Sequence, residues 1–246
     1  GSQNFEAFLT KYSSDGTKAW TKVLASSGND NGFGVATSSD GSIYLTGYTN
    51  GDLDGQTNAG SNDAFLTKYS SDGTKVWTKL LGSSGNDYSF EVATASDGSV
   101  YITGHTFGDL DGETNAGSND GFLAKYSSDG TKTWTKLVGS SFQGAGFGVA
   151  TASDGSVYIT GRTNADLDGE THAGLFDAFL IKYASDGTKT WTKLLGTSFD
   201  DVGYGVVTAS DGSVYISGYT RGDLDGETNT GSQNFEAFLT KYSSDG

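Results

Sequence analysis

Four times along the chain two aspartates stand one residue apart ahead of a glycine: Asp52-Leu53-Asp54-Gly55, Asp109-Leu110-Asp111-Gly112, Asp166-Leu167-Asp168-Gly169 and Asp223-Leu224-Asp225-Gly226. Alternate carboxylates in a Gly-containing loop supply the hard oxygen donors that Ca2+ takes. A further acid ends each loop, at Asp63, Asp120, Asp177 and Glu236. The spacing departs from an EF-hand loop, because the glycine comes two places early and the third Asp or Asn is missing. The competing reading is an Asx-type turn, in which the aspartates cap backbone N–H groups. Both readings stand at this point: Asp52, Asp54, Asp109, Asp111, Asp166, Asp168, Asp223 and Asp225 are candidate Ca2+ ligands, and Ca2+ is the one cofactor they suit.

A second group emerges when the copies are compared within the chain. The turn that follows each V-Y-I-T-G-like run varies: Tyr48 and Asn50, His105 and Phe107, Arg162 and Asn164, Tyr219 and Arg221. The segment ahead of that hairpin varies too, from Gly28-Asn29-Asp30-Asn31 to Phe142-Gln143-Gly144-Ala145. Variable loops on a repeated frame fit recognition, and aromatic and Arg side chains stack on sugars or anchor a protein. Tyr48, His105, Phe107, Arg162, Tyr219 and Arg221 are therefore the candidate ligand-binding residues; relaxed drift of exposed loops is the other reading. Catalysis has less to stand on. The two histidines, His105 and His172, fall at different places in the repeat, and no Ser/His/Asp order or phosphate-cradling glycine motif is present. The expectation is a protein that is not an enzyme.

These residues need a frame, and the frame is a repeat. Trp20, Trp77, Trp134 and Trp191 follow one another at a step of 57. A fixed period of this length signals one supersecondary unit stacked against its own copies. The units run over 33–89, 90–146 and 147–203, with one remaining unit to be made from 204–246 and 1–32. Residues 1–16 recur letter for letter as 231–246. The chain then reads either as a window on a longer array or as one whose ends were built to overlap. Its lack of Met places the natural start outside the window.

Residues 90–146 show what a unit builds. Glu91 to Ala95 is a short β-like run, closed by Ser96-Asp97-Gly98 and followed by Ser99 to Gly104. Asp-Gly between two such runs is a strong hairpin signal, because the tight turn requires positive φ. After a polar loop from Gly108 to Asp120, Phe122 to Tyr126 and Lys132 to Leu137 form a second hairpin about Ser128-Asp129-Gly130. Val100 and Ile102 point to one face, Tyr101 and Thr103 to the other, so the sheet is apolar on both sides and must lie between two neighbours. The fourth strand carries Lys75, Lys79, Lys132, Lys136, Lys189 and Lys193, as suits an outer edge protected from pairing. The expected fold is all-β: a β-propeller of four-stranded antiparallel blades, in four repeats of about 57 residues.

Three motifs add a resemblance. V-Y-I-T-G (Val100 to Gly104), D-x-F-L-x-K-Y (Asp120 to Tyr126) and S-D-G-T-K-x-W (Ser128 to Trp134), repeated along the chain, resemble the bacterial β-propeller repeat called the SBBP repeat. The resemblance implies a propeller in large secreted or surface-exposed bacterial proteins, and it brings no catalytic residues. The family name refers to seven blades, so it leaves the ring size of this chain open.

Composition narrows the partners. Thirty acidic against fifteen basic residues give a net charge of −15, which disfavours nucleic acid as a partner and fits cation binding or plain solubility. Without Cys there is no disulfide framework or thiolate metal site, and no apolar run is long enough to insert in a membrane. The sequence therefore reads as a non-catalytic structural or interaction module of an extracellular or cell-surface repeat protein, an adhesin or fibre segment. The alternative is a lectin using the variable aromatic loops. Protein or glycan is the expected partner, with self-association through the terminal strands.

Overall fold

A computed structural model describes residues 4–139, 141–231 and 234–246, and every regular element in them is a strand. β1 (Ala7–Tyr12) and β2 (Lys18–Leu24) form a two-stranded sheet. Three four-stranded antiparallel sheets follow. The first is β3 (Asp30–Thr37), β4 (Ile43–Thr49), β5 (Asp63–Tyr69) and β6 (Lys75–Leu81). The second is β7 (Asp87–Thr94), β8 (Val100–Thr106), β9 (Asp120–Tyr126) and β10 (Lys132–Val138). The third is β11 (Gly144–Thr151), β12 (Val157–Thr163), β13 (Asp177–Tyr183) and β14 (Lys189–Leu195). A three-stranded sheet of β15 (Val202–Thr208), β16 (Val214–Thr220) and β17 (Glu236–Tyr242) completes the series. Segments 204–246 and 1–32 thus lie in separate sheets: β17 is paired with β16 along its length, and β1 pairs with β2.

The three complete sheets are the four-stranded meanders that the sequence suggests. The first strand begins earlier than alternation alone indicated, at Asp87 rather than Glu91 in the second sheet. The Ser-Asp-Gly turns close as expected: Ala95 N–H donates to Ser99 O (2.8 Å), and Gly98 takes φ 83°. That left-handed backbone is cheap only for a residue without Cβ. Asp97 Oδ1 then accepts the Ser99 N–H at 2.8 Å, which fixes the turn's exit.

Stacking of the sheets builds the core. β4, β5, β8, β9, β12 and β13 are buried on both faces, as the apolar alternation required. One cluster joins Tyr44, Leu66 and Leu81 of the first sheet to Val100, Ile102 and Phe122 of the second. The next joins Tyr101, Leu123 and Val138 to Val157, Ile159 and Phe179. First strands lie side by side, β3 with β7, β7 with β11 and β11 with β15, while β6, β10 and β14 form the far edges. A threonine at the end of each first strand ties it to the one before: Thr94 Oγ1 donates to Thr37 O (2.9 Å), Thr151 to Thr94 O (2.9 Å) and Thr208 to Thr151 O (2.8 Å). The lysine-bearing strands are the outer ones, with their lysines exposed or half-buried.

Candidate functional site

The Asp-Leu-Asp-Gly loops are small hairpins. Leu53 and Gln56 exchange both backbone hydrogen bonds (3.0 and 2.9 Å), and Asp54 and Gly55 between them both have positive φ, 51° and 78°. This is the turn for which Asp-Gly is the favoured pair, because Asp tolerates the left-handed region by bonding locally. The two carboxylates serve different partners. Asp52 Oδ1 accepts Asn58 N–H at 2.9 Å, as Asp109 accepts Asn115, Asp166 accepts His172 and Asp223 accepts Asn229. Asp168 takes Lys189 Nζ at 2.6 Å and the Thr192 hydroxyl at 2.5 Å on the fourth strand; Asp54 and Asp111 hold Lys75 with Thr78 and Lys132 with Thr135 in the same way. Asp225 occupies the same turn, with φ 51°.

The acids that end the loops cap as well. Asp63, Asp120 and Asp177 accept the N–H of Ala59, Ala116 and Ala173 at 2.8 Å, and Glu236 accepts Thr230 N–H at 3.0 Å. Among the described residues no three His, Cys, Asp or Glu side chains are grouped to hold a metal ion. The arrangement favours capping and ion pairing over Ca2+. Asp109→Asn combined with Asp111→Asn is expected to cost about 1 kcal/mol of stability, the size of a partly exposed ion pair plus a turn hydrogen bond. Melting curves should show that cost equally with Ca2+ and with chelator; a Ca2+-dependent rise lost in the variant would establish a cation site instead.

The variable residues converge. Tyr48, His105, Arg162 and Tyr219 occupy one register position on β4, β8, β12 and β16 and lie in a continuous aromatic line. Tyr48 meets Tyr88 edge-on at 4.7 Å, and Tyr88 reaches His105 at 5.0 Å and Phe107 at 6.4 Å. Arg162 lies over Phe176 (4.4 Å) and Phe147 (5.9 Å). Tyr219 meets Tyr204 (5.9 Å) and Phe235 (4.7 Å). Arg221 lies over Phe235 (5.1 Å) while its Nη1 donates to Asp200 Oδ2 at 3.0 Å.

Sequence reasoning missed the spine of this line. Phe33, Phe90, Phe147 and Tyr204 each sit at a β-bulge of a first strand, skipped by the register between Gly32 and Gly34, Ser89 and Glu91, Gly146 and Gly148, and Gly203 and Gly205. A bulge re-aims the extra side chain. Here it brings the four rings into a row of edge-on and tilted contacts, at 5.6, 5.5 and 5.1 Å from first to last. The available signal was an aromatic residue at the 57-residue step, flanked by glycine in three of the four copies.

His105 is half-buried against this line, and desolvation with the nearby Arg162 cation lowers its pKa to about 4. The ring is therefore neutral at physiological pH and serves as an aromatic surface. His172, by contrast, lies beside the Asp177 loop, with Nε2 3.3 Å from Leu175 O. The two histidines belong to different environments and form no pair.

Comparison with known proteins agrees with the architecture. The chain is 30% identical over 229 residues to the regulatory protein FlaEY of Caulobacter vibrioides, a match over 80% of this chain and 24% of that protein. It is 23% identical to an uncharacterized WD repeat-containing protein of Acanthamoeba polyphaga mimivirus, over 87% of this chain and 21% of that one. The chain thus spans about a quarter or less of the curated relatives it matches. A crystal structure of a protein of unknown function from Bacteroides caccae superposes with a TM-score of 0.51 at 10% identity, over 95% of this chain and 70% of the other; that likeness is one of fold. Residues 19–54 match the SBBP β-propeller repeat, and the unit they belong to recurs along the chain at a step of 57.

Proposed function

We propose that the chain is a non-catalytic interaction module of a longer extracellular bacterial repeat protein, a fibre or adhesin segment, and that it holds its partner on the aromatic line. The carrying observation is that the residues that vary between copies meet in one surface, backed by the bulge rings, on a frame that otherwise repeats. The rings already accept guanidinium groups from the chain itself, Arg162 at 4.4 Å and Arg221 at 5.1 Å, and the chain carries a net charge of −15. Rings in an acidic field suit a protein partner that presents Arg or Lys side chains. In this reading the sheets are blades of a propeller, and the β15–β17 sheet is completed by a β1–β2 hairpin, its own or that of a second copy.

A lectin is the second reading, favoured by the half-exposed Phe33 and Tyr204 rings, since aromatic faces also stack on sugars. An arginine-rich peptide and a glycan array separate the two. Saturable binding of the peptide, weakened at least about fivefold by Tyr88→Ala with Phe107→Ala, is the expected result; that loss corresponds to roughly 1 kcal/mol of cation–π and contact energy. Binding confined to one sugar class and lost on Tyr48→Ala or Tyr219→Ala would favour the lectin.

A further inference from the structure

Where one sheet meets the next, two aspartates are buried together. Asp63 opens β5 and Asp87 opens β7; Asn62 and Asn86 form a parallel bridge just ahead of them, and Asp87 N–H donates to Asn62 O at 2.7 Å. Both aspartates are at most 1% exposed. Each commits Oδ2 to its own loop: Asp63 to Ala59 N–H (2.8 Å), Asp87 to Ser83 N–H (2.6 Å) and the Ser83 hydroxyl (2.9 Å). Asp63 leaves Oδ1 buried without a hydrogen-bond partner; Asp87 Oδ1 is likewise buried, with the Thr106 hydroxyl near the carboxylate but donated to Gly108 O at 2.9 Å.

The arrangement returns two sheets later. Asp177 takes Ala173 N–H (2.8 Å), while Asp201 takes Thr197 N–H (2.6 Å) and its hydroxyl (2.9 Å); both again leave a buried Oδ1 without a hydrogen bond. The junction between them is an internal control. Asp120 stands in the place of Asp63, but Gly144 stands in the place of Asp87 and donates its N–H to Asn119 O at 2.8 Å.

Two ionised carboxylates in one dry junction repel each other and have both lost water, so neutralising one of them is favourable. Burial raises the pKa of Asp63, Asp87 and Asp177, and the neighbouring carboxylate adds to the rise for Asp63, from Asp87, and for Asp177, from Asp201. Other charged or titratable groups facing the junctions are few. Tyr88 adjoins Asp87; His172 Nε2 stands 3.9 Å from Asp177 Oδ1; Arg221 is engaged with Asp200, beside Asp201. No ion pair with a Lys or Arg reaches Asp63, Asp87, Asp177 or Asp201 among the described residues.

We propose that one carboxyl of the pair Asp63 and Asp87, and one of the pair Asp177 and Asp201, stays protonated in the folded chain, so that each junction between successive sheets is latched in a way that alkali releases. The proton is taken from solvent on folding and returned when the second carboxylate ionises. A carboxyl whose folded-state pKa is raised contributes stability in full below the ordinary carboxylate range, and that stability is lost as pH rises through the raised value. His105 contributes with the opposite sign: its lowered pKa makes stability fall as pH drops below the ordinary histidine range. The latch is therefore read from differences between variants and parent.

Melting temperature is followed from pH 4.5 to 9 at fixed ionic strength for the parent chain, Asp87→Asn, Asp201→Asn and the double variant. An amide keeps the acceptor for Ser83 or Thr197 and stands in for the protonated carboxyl. Relative to the double variant, the parent should lose about 3 °C per pair on going from acid to alkaline pH, and each single variant about half the total. Parallel curves would mean that these aspartates only cap their loops, and would overturn the proposal. A rise in the parent alone on adding CaCl2 at pH 8.5 would also overturn it, by showing a cation between the carboxylates. Infrared spectra of the parent give a second readout that needs no variant: a protonated-carboxyl C=O band should be present at pH 7 and vanish at alkaline pH in the folded protein. Its absence at pH 7 would likewise sink the idea. None of these readouts depends on the partner proposed above, so the two readings fail separately.

Discussion

Gly161→Ala is expected to cost at least about 3 kcal/mol and to disrupt the third four-stranded sheet. A Cβ at this position would stand 1.8 Å from Ala145 O and 2.7 Å from Phe179 Cζ. The first obstacle is backbone, held by the bulge between Gly146 and Gly148, so no side-chain rotation relieves it. The same contact recurs at Gly47, Gly104 and Gly218, at 1.8, 1.7 and 1.8 Å from the carbonyls of Asn31, Tyr88 and Val202. Urea denaturation measures the cost, and a midpoint within error of the parent would refute the assignment. Sheets that touch only their neighbours share stability through their interfaces. Hydrogen exchange should therefore show the loss of protection centred on β11–β14 and fading towards β3–β6.

The second large effect is in the core. Phe122 is fully buried between the first and second four-stranded sheets, within the cluster that holds Tyr44, Leu66 and Ile102. Phe122→Ala removes that ring and leaves a cavity, at an expected cost of about 3–5 kcal/mol. Phe8 holds the equivalent register position on β1 and is 68% exposed. Phe8→Ala should therefore change stability by less than about 0.5 kcal/mol. Equal effects at the two positions would contradict the packing described here.

How much of this the residues disclosed depends on what each element asks of its neighbours. The period of 57, the four strands per unit and the outer place of the lysine strand all follow from local patterns, and the sheets carry them. The double-sided burial of β8 was legible because Tyr101 and Thr103 are as sheet-compatible as Val100 and Ile102. Phe90 was not legible as a wall residue. Its bulge depends on pairing with β8 across the meander, so a pattern that starts the strand at Glu91 leaves the ring outside it. The Asp-Leu-Asp-Gly loops show the converse limit. Their carboxylate spacing is visible in sequence, but Lys132 and Thr135, which engage Asp111, come from a strand more than twenty residues on. Asp87 lies ahead of the run that local pattern starts at Glu91, and the parallel bridge at Asn62 and Asn86 brings it beside Asp63.

The threonine ladder from Thr37 through Thr94 and Thr151 to Thr208 has an evolutionary consequence. The inner rungs, Thr94 and Thr151, each donate to the rung before and accept from the rung after, so the two sides of a unit fit a copy of itself. In-frame duplication or unequal crossover within the gene would add a unit whose contacts are already specified, with no compensating substitution required. Length then becomes a heritable variable that selection can adjust apart from fold. Within this chain the copies keep the ladder threonine and differ on the aromatic line, at Tyr48, His105, Arg162 and Tyr219.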